Sequence, residues 1–205
     1  MAEAGLYNGG VAAPASTLLP AIPGLSQRQN APLSDYTRFG IGGPADLLVE
    51  TSEEGALVEA LRFLRDHHLR HVVIGSGTNL VVSDAGFRGA VVRYTAAGMH
   101  RQENAVWCDA GAELMDLVWF TLEHSLEGIQ TLMGIPGSVG GAIYGNAGAY
   151  GHSISEVTRE VRYFDGNAVR TVNQEGCAFR YRESLFKQRK HWMVLAVGLE
   201  FQAGD

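Results

Sequence analysis

The chain has 205 residues, enough for one large domain or two small ones, and its 46% hydrophobic and 19% charged residues are typical of a soluble globular protein. A net charge of −6 favours neither nucleic acid nor an anionic membrane surface as a partner, and no apolar run is long enough to span a bilayer. Two widely separated cysteines without a CxxC pattern indicate reduced thiols in a cytoplasmic protein, and the 7 histidines show no metal-ligand spacing.

The first predicted region follows an irregular start. Residues 1–29 lack the basic beginning of a signal peptide and contain several prolines, so we expect a flexible or irregular extension, with order beginning near Asn30. A strand is predicted over Asp46–Glu50. A helix follows, in which Thr51 and Glu54 fit a capping box and three leucines recur at helical spacing: Leu57, Leu61 and Leu64. Three β-branched runs then predict strands, which gives the order β-α-β-β-β: HVVIG from His71, NLVVS from Asn79 and GAVVR from Gly89.

The second region begins with a strand-like run, AVWCDAGA from Ala105. A helix is predicted next, with four apolar residues on one face: Leu114, Leu117, Val118 and Leu122. A glycine-rich segment follows, and then three strands, of which the first two are joined by a hairpin turn at Asp165–Asn167: Thr158–Asp165, Ala168–Val172 and Trp192–Phe201. We therefore predict an α+β protein with two small subdomains, residues 30–97 and 98–203.

Two segments are unusually rich in glycine. One is GSGTN, Gly75–Asn79, and the other is GIPGSVGGAIYGNAGAYG, Gly134–Gly151, which has no charged side chain. Glycine permits positive φ angles and the close approach of a ligand, and bare backbone N–H groups form a concave surface that binds anions. Short donors such as Ser76 and Ser138 add to that surface. The pattern fits a pyrophosphate, and two such segments indicate a long ligand such as a flavin dinucleotide. For GSGTN alone, a purely structural role in a tight turn stays open.

Other nucleotide sites have different signatures. Neither segment is GxxxxGK[ST], which excludes a P-loop. Neither is GxGxxG followed by a long helix and a ribose-binding acid, which argues against a Rossmann site.

Four motifs carry a resemblance to a known family. In chain order they are YTRFGIGGPAD (Tyr36–Asp46), GSGTNLVVSDAGFRGAVV (Gly75–Val92), the second glycine segment, and CAFRYRESLFK (Cys177–Lys187). From about Asn30 to about Phe201 the chain resembles the UDP-N-acetylenolpyruvoylglucosamine reductases, also called UDP-N-acetylmuramate dehydrogenases. The resemblance implies a two-subdomain FAD-binding fold of the vanillyl-alcohol-oxidase (PCMH) kind. It also implies NADPH as electron donor, a UDP-sugar as substrate and a place in peptidoglycan precursor synthesis.

In this family the two glycine segments hold the FAD pyrophosphate and flank the flavin. The resemblance therefore implies these FAD-binding residues: Gly75, Ser76, Gly77, Thr78, Asn79, Leu80, Gly111, Ile135, Pro136, Gly137, Ser138, Val139, Gly140, Gly141, Ala142, Asn146, Ala147, Gly148, Ala149, Tyr150 and Gly151. Some related flavoproteins attach FAD through a histidine beside the first turn. This turn has none, and His71 lies four residues away, so we expect non-covalent FAD.

The family reaction passes a hydride from NADPH to the enolpyruvyl group of the UDP-sugar by way of FAD. By resemblance, Arg182 is the catalytic cation that stabilises negative charge developing on the substrate, and Tyr181 helps to shape the site. Arginine suits this role because its planar fork binds a carboxylate bidentately and stays charged. A surface ion pair with Glu183 is the alternative for Arg182.

The chain departs from the family in one respect. No segment up to Asp205 matches the third domain, which supplies the proton-donating serine and a glutamate near the C-terminus, so we expect impaired activity in this chain. Two alternatives stay open. One is a shortened flavin oxidoreductase with another substrate, for which Tyr144, Tyr150 and His152 are the candidate acid–base groups. The other is a non-catalytic FAD-binding module that another chain completes.

Overall fold

The structure is a computed structural model that describes residues 19–204, and the chain divides into two compact units, Met1–Thr95 and Ala96–Asp205. The sequence predicts this division between residues 97 and 98. No helix in the described range is both long and apolar enough to cross a membrane.

In its described residues, 19–95, the first unit is a four-stranded sheet covered by one helix. Its strands lie in the order β1-β2-β4-β3, with β1 antiparallel to β2 and the other pairs parallel: β1 (Ser26–Pro32), β2 (Pro44–Thr51), β3 (His71–Ile74) and β4 (Phe87–Tyr94). Helix α1 (Glu54–Asp66) connects β2 to β3 and buries Leu57, Leu61 and Leu64 as predicted. The parallel arrangement places the turn after β3, which is the first glycine segment, at the carboxyl end of that strand.

The run NLVVS, predicted as a strand, is a loop, so that prediction is wrong. Leu80 and Val82 pack against the core of the first unit while Val81 is 68% exposed, which reproduces the alternation of a strand. The backbone bonds are those of turns, because Leu80 N–H donates to Gly77 O and Ser83 O accepts from Gly86 N–H. No strand of the described range pairs with this run. The alternation of buried and exposed side chains in this run arises because one face packs on the core, and not because the run belongs to a β-sheet.

Order begins earlier than the predicted Asn30. Leu19 and Ile22 are buried, and β1 pairs with β2 from Ser26 onward. Within β1 only Ala31 is buried, so this edge strand is held by backbone hydrogen bonds and leaves no apolar pattern in the sequence. The rest of the predicted extension, residues 1–18, lies outside the described residues.

The predicted capping box of α1 is also wrong. The residue that caps the helix is Glu53, with no side-chain cap, while Thr51 still belongs to β2. The Thr51 hydroxyl accepts from Glu53 N–H at 2.9 Å and donates to Gly24 O at 2.8 Å. Thr51 therefore closes the turn between strand and helix rather than capping the helix itself.

The second unit is built on a five-stranded antiparallel sheet in the order β11-β10-β12-β6-β5. The strands of the sheet are β5 (Met99–Gln102), β6 (Ala105–Asp109), β10 (Thr158–Phe164), β11 (Val169–Asn173) and β12 (Met193–Glu200). Three helices, α2 (Leu114–Glu123), α3 (Val139–Gly145) and α4 (Leu185–Gln188), and two ribbons complete the unit: β7 (Leu126–Glu127) with β13 (Gln202–Ala203), and β8 (Gly148–Ala149) with β9 (His152–Ser153). The three strands predicted after the glycine segment and their hairpin are confirmed within one residue, β6 ends at Asp109 rather than Ala112, and β5 and the two ribbons were not predicted.

The buried face of α2 differs from the prediction at one position. Leu114, Leu117 and Val118 are buried, but the fourth buried residue is Thr121, and Leu122 is 39% exposed. Seven residues complete almost two helical turns, so position 121 stays above Leu114 while position 122 turns away. The Thr121 hydroxyl donates to Val118 O at 2.8 Å, which satisfies this polar group inside the unit.

The hairpin turn between β10 and β11 is confirmed. One carboxylate oxygen of Asp165 accepts from the N–H groups of Asn167 and Ala168, both at 2.8 Å, and Gly166 has φ +94°. The bond from Ala168 and the Arg170 guanidinium lower the pKa of Asp165 to about 2.

Candidate functional site

The first glycine turn, Gly75–Asn79, contains one position where the protein itself requires glycine. Gly77 is buried with φ +67°, and a Cβ there would collide with the carbonyl oxygen of Tyr36. Its own carbonyl accepts from Arg38 N–H at 3.2 Å and Leu80 N–H at 3.3 Å. The glycine at this position is thus explained by packing, as the structural alternative for GSGTN supposed.

The donors of the same turn are not explained by packing. The N–H groups of Gly75, Gly77 and Asn79 have no hydrogen-bond acceptor among residues 19–204. Leaving a buried donor such as that of Gly77 unpaired costs about 1–3 kcal/mol, so such groups are rare unless water or a ligand binds them. The turn offers several neutral donors within five residues, which is the chemistry that an anion such as a pyrophosphate needs.

The second glycine segment uses its amides differently. At the start of α3, Val139 N–H donates to Ala112 O and Gly140 N–H to Ala110 O, both at 2.8 Å. Ser138 caps the helix, with Oγ accepting from Gly141 N–H and its carbonyl accepting from Ala142 N–H. The bare amides predicted for this segment are therefore not present at positions 139–142.

Four glycines of this segment fall into two groups. A Cβ at Gly148 would collide with His152 O, and one at Gly140 would lie 3.0 Å from Ala110 O, so packing explains both. A Cβ at Gly145 would meet nothing within 4 Å, and one at Gly141 would meet only Ser138 Oγ at 3.3 Å. Both lie four residues apart in α3 without a positive φ. They leave an open strip along the helix that the fold does not require.

Arg182 is held by the second segment. Its Nη2 donates to Gly148 O at 2.6 Å and its Nη1 to Asn146 O at 3.3 Å. Glu183 forms its ion pair with Lys187 at 2.9 Å, and the Lys187 ammonium also donates to Arg182 O at 2.7 Å. The Arg182–Glu183 ion pair left open by the sequence is therefore not the arrangement observed.

The side chain of Asn146 also links the two segments. It is buried, donates to Arg180 O at 3.0 Å and accepts from Ser155 N–H at 3.3 Å. Asn146 and Arg182 both have positive φ, at +43° and +55°, a conformation that costs a residue with a side chain about 1–2 kcal/mol. We call these mutual contacts of residues 146–148 and 180–182 the carbonyl clamp. It holds the RYRES segment on the end of α3.

The tyrosines of the site are placed differently from one another. Tyr181 is 87% exposed with its ring 5.2 Å from the Arg182 guanidinium carbon, and Tyr150 is 90% exposed. The hydroxyl of Tyr144 is buried without a hydrogen-bond partner in the described part of the chain, and burial, with a smaller effect of Glu183, raises its pKa. His152 pairs with Glu156 at 2.9 Å. Of the three alternative acid–base candidates, Tyr144 thus has a buried hydroxyl without a partner among the described residues, and His152 is paired with a carboxylate.

The remaining implied residues are mixed. Leu80 packs against the core of the first unit. Gly111 follows β6 and is half-buried, as are Ile135, Gly137 with φ +131°, Ala147 and Ala149. Three exposed side chains, Arg38, Phe39 and Ile41, lie on a loop bonded to the first turn, and the sequence analysis assigns none of them to the site. Their sequence signal is their place in YTRFGIGGPAD, one of the four motifs that carry the resemblance.

Comparison with curated proteins gives one consistent name. The chain is 52% identical over 187 residues to a UDP-N-acetylenolpyruvoylglucosamine reductase of Solibacter usitatus, which covers 91% of this chain and 60% of that protein. A reductase of the same name from Clostridium perfringens is 33% identical over 86% of this chain and 58% of its own length. The chain thus spans about three-fifths of the length of these relatives.

Solved structures confirm the predicted fold class. The reductase of the same name from Thermus caldophilus superposes with a TM-score of 0.72 at 30% identity, over 88% of this chain and 63% of that one. A cholesterol oxidase from Brevibacterium sterolicum superposes with a TM-score of 0.67 at 16% identity, over 93% and 40%, a likeness of fold alone.

The geometry also fits the cofactor of this fold. The first turn presents neutral backbone donors, and the strip at Gly141 and Gly145 gives room for a ligand against the helix backbone. Residues 45–172, more than half of the chain, match the profile described as FAD binding domain, FAD_binding_4. The chain therefore belongs to this family of FAD-binding domains.

Proposed function

We propose that the chain serves the FAD-dependent reduction of UDP-N-acetylenolpyruvoylglucosamine to UDP-N-acetylmuramate, with NADPH as electron donor, in the cytoplasmic synthesis of peptidoglycan precursors. The observation that carries the proposal is 52% identity to a reductase of this name across 91% of the chain. The chain spans 60% of that relative's length. The complete reaction is therefore proposed for the full-length architecture of the relative, in which the residues of this chain would perform their part.

The residues that would hold FAD divide by chemistry. The bare N–H groups of the first turn suit the pyrophosphate, and the strip at Gly141 and Gly145 suits a part of the cofactor that needs close approach. When bound, FAD supplies the hydride carrier between nicotinamide and substrate. The rest of the chemistry falls to side chains that bind, orient and stabilise charge.

Arg182 is the side chain best prepared for that work. The carbonyl clamp uses one N–H of each terminal nitrogen, and a guanidinium has five N–H donors, so donors remain for a substrate carboxylate. Because the clamp fixes the guanidinium before substrate arrives, little reorganisation is needed when negative charge develops beside it. Tyr181 lies against the guanidinium and would shape the same surface.

A hybrid protein tests this function. Residues of this chain would replace the 187 matched residues of the Solibacter usitatus reductase, which supplies the remainder of its own length. We expect the hybrid to bind FAD, to be reduced by NADPH and to be reoxidised by the enolpyruvyl sugar, as followed by flavin absorbance in a stopped-flow instrument. A hybrid that binds and reduces FAD but is not reoxidised by the sugar would show that this chain serves another acceptor.

We also infer that FAD is held non-covalently. His71 precedes the first turn, its ring nitrogen lies 2.9 Å from Leu69 O and the group is half-buried in β3, and the next histidine is His100. Acid precipitation of the FAD-loaded chain should release the yellow colour into the supernatant. Flavin that stays in the pellet would contradict this inference without affecting FAD binding itself.

A further inference from the structure

A loop of the first unit lies directly against the first glycine turn. We call Thr37–Gly43 the arginine loop. Its Arg38 N–H donates to Gly77 O at 3.2 Å, and its Gly43 N–H donates to Ser83 O at 2.9 Å. The arginine loop is therefore bonded near its start to the turn itself and at its end to Ser83, in the loop that follows the turn.

The arginine loop is closed by its own hydrogen bonds. Thr37 Oγ1 donates to Ile41 O at 2.9 Å, and Gly40 N–H donates to Thr37 O at 3.1 Å, with Gly40 at φ +64°. Thr37 is buried beneath the loop. The side chains between these anchors are thus presented from a preformed turn, which lowers the entropic cost of binding to them.

Arg38 stands out among the arginines of this unit. Its side chain is exposed and has no hydrogen-bond, ion-pair or ring partner among residues 19–204. Other arginines of the unit do have partners, as Arg88 pairs with Asp46 at 2.7 Å and Arg93 with Glu50 at 2.6 Å. In a chain of net charge −6, an arginine left without a carboxylate beside three bare amides points to an anionic ligand.

The same surface carries large apolar side chains. Phe39 is 61% exposed, Ile41 is 50% exposed, and Val81, on the facing loop, is 68% exposed. Gly42 packs directly on Val82, so the two loops that carry these side chains are in contact. A cation, bare amides and apolar side chains on one surface match a ligand that joins phosphate to a flat ring.

We propose that the arginine loop is a second wall of the FAD site, in which Arg38 binds a phosphate of the dinucleotide and Phe39 with Ile41 covers one of its rings. The guanidinium fork binds phosphate bidentately, and the apolar side chains remove a ring from water. The proposal rests on FAD binding by this family and not on the sugar reduction proposed above, so the two can fail separately.

The phosphate contact is tested with Arg38→Gln in the full chain, with Arg65→Gln on the exposed side of α1 as the matched control. We expect Arg38→Gln to weaken FAD binding about ten- to hundredfold, the range of a charge-assisted hydrogen bond, and to make binding less sensitive to salt. Arg65→Gln should leave both unchanged. Affinity is measured by quenching of flavin fluorescence, and circular dichroism checks that each variant melts like the parent chain.

The apolar contact is tested with Phe39→Ser, with Trp119→Ser, 54% exposed in the second unit, as the control. We expect Phe39→Ser to bind FAD roughly tenfold more weakly than the parent chain, and the control variant to bind FAD with unchanged affinity. Competition with ADP and with FMN, measured on Phe39→Ser and on the parent chain, then identifies the ring. Only the probe that contains the ring covered by Phe39 should bind more weakly to the variant.

Two results would overturn the proposal. One is FAD affinity within twofold of the parent in Arg38→Gln and Phe39→Ser while the parent binds FAD, which removes the arginine loop from the site and leaves the family assignment intact. The other is a parent chain that takes up no FAD, which would contradict both the proposed role of the arginine loop and FAD binding by this chain. Loss of FAD equally in the Arg65→Gln control would assign the effect to net charge and would also count against it.

Discussion

The two glycine-rich regions look alike in sequence but are built on opposite principles. In the turn Gly75–Asn79 the glycine demanded by the fold, Gly77, packs on a backbone carbonyl, and three N–H groups are left without acceptors in the described part of the chain. In the segment around α3 the N–H groups of residues 139–142 donate to acceptors within the protein, and Gly141 and Gly145, which no packing contact explains, leave empty space. One region therefore offers donors, and the other offers room.

Glycine density alone does not distinguish these two uses. Donors require a turn whose amides point away from other backbone, whereas room requires a helix whose surface lacks side chains. The second region also needs the carbonyl clamp, because a glycine-rich helix of seven residues is poorly stable by itself. Substitutions in each region can distinguish binding through backbone N–H donors from binding through the space left by glycine.

The largest effect is expected at the clamp. In the hybrid protein, Arg182→Ala should leave flavin reduction by NADPH within about twofold and slow reoxidation by the sugar about 10²–10³-fold, because only that step develops charge on the substrate. Stopped-flow absorbance measures the two steps separately, and Arg189→Ala, whose side chain stacks over Trp192, is the control. Equal slowing of both steps would mean that Arg182 serves α3 alone.

Gly77→Ala tests the packing explanation for the first turn. The collision with Tyr36 O and the positive φ should together lower the free energy of unfolding by about 2–4 kcal/mol. Urea denaturation of the cofactor-free chain measures it. Gly75→Ala, at a position without positive φ, is the comparison and should cost less than half as much. Equal stability of Gly77→Ala and the parent would leave ligand approach as the reason for this glycine.

Two asparagines sharpen the contrast. Asn146→Ala removes buried contacts to Arg180 O and Ser155 N–H and should cost about 1–3 kcal/mol of stability. Asn79 is exposed and its side chain has no partner within residues 19–204, so Asn79→Ala should leave stability unchanged within about 0.5 kcal/mol. If Asn79 binds FAD, its loss should weaken affinity severalfold, as measured by fluorescence quenching. A stability loss in Asn79→Ala together with unchanged stability in Asn146→Ala would mean that the first region is held by its asparagine side chain and the second is not.

Gly145→Ala is expected to change stability with the opposite sign. A Cβ there meets open space in a helix, so the cofactor-free chain should gain up to about 1 kcal/mol. FAD affinity should fall at the same time if the strip receives the cofactor. A more stable variant with unchanged affinity would show that this part of the helix faces solvent in the FAD complex.

The sequence was a good guide wherever a pattern repeats over several residues. The strands around Leu48, Val91 and Val161 and the buried faces of α1 and α2 follow from apolar periodicity, and the hairpin at Asp165 follows from its turn residues. The polar edge strand β1 has no such pattern, and NLVVS has the pattern of a strand without a partner. Both depend on a neighbour that is distant in sequence.

The site was predictable in the same uneven way. Both glycine segments and the RYRES motif stand out in the sequence, but the use of their atoms does not. Nothing local reveals that the Asn146 side chain would bind Arg180 O, or that the amides at the start of α3 would bind Ala110 and Ala112. The role proposed for Arg38 could not be inferred from the sequence, because an exposed arginine on a loop is ordinary until its neighbours are known.

The central strand of the second sheet is also the last of its five strands to be synthesised. Strand β12 separates β10 from β6, and Gly198 lies opposite Trp107. A ribosome adds about 5–20 residues per second, so the edge of β6 waits roughly 5–20 s for its partner, whereas the first sheet is complete once Tyr94 has emerged. During that interval β6, and β10 once it has been synthesised, each expose an unpaired edge that can join the wrong strand. Nascent chains of the second unit should therefore depend on chaperones more than those of the first.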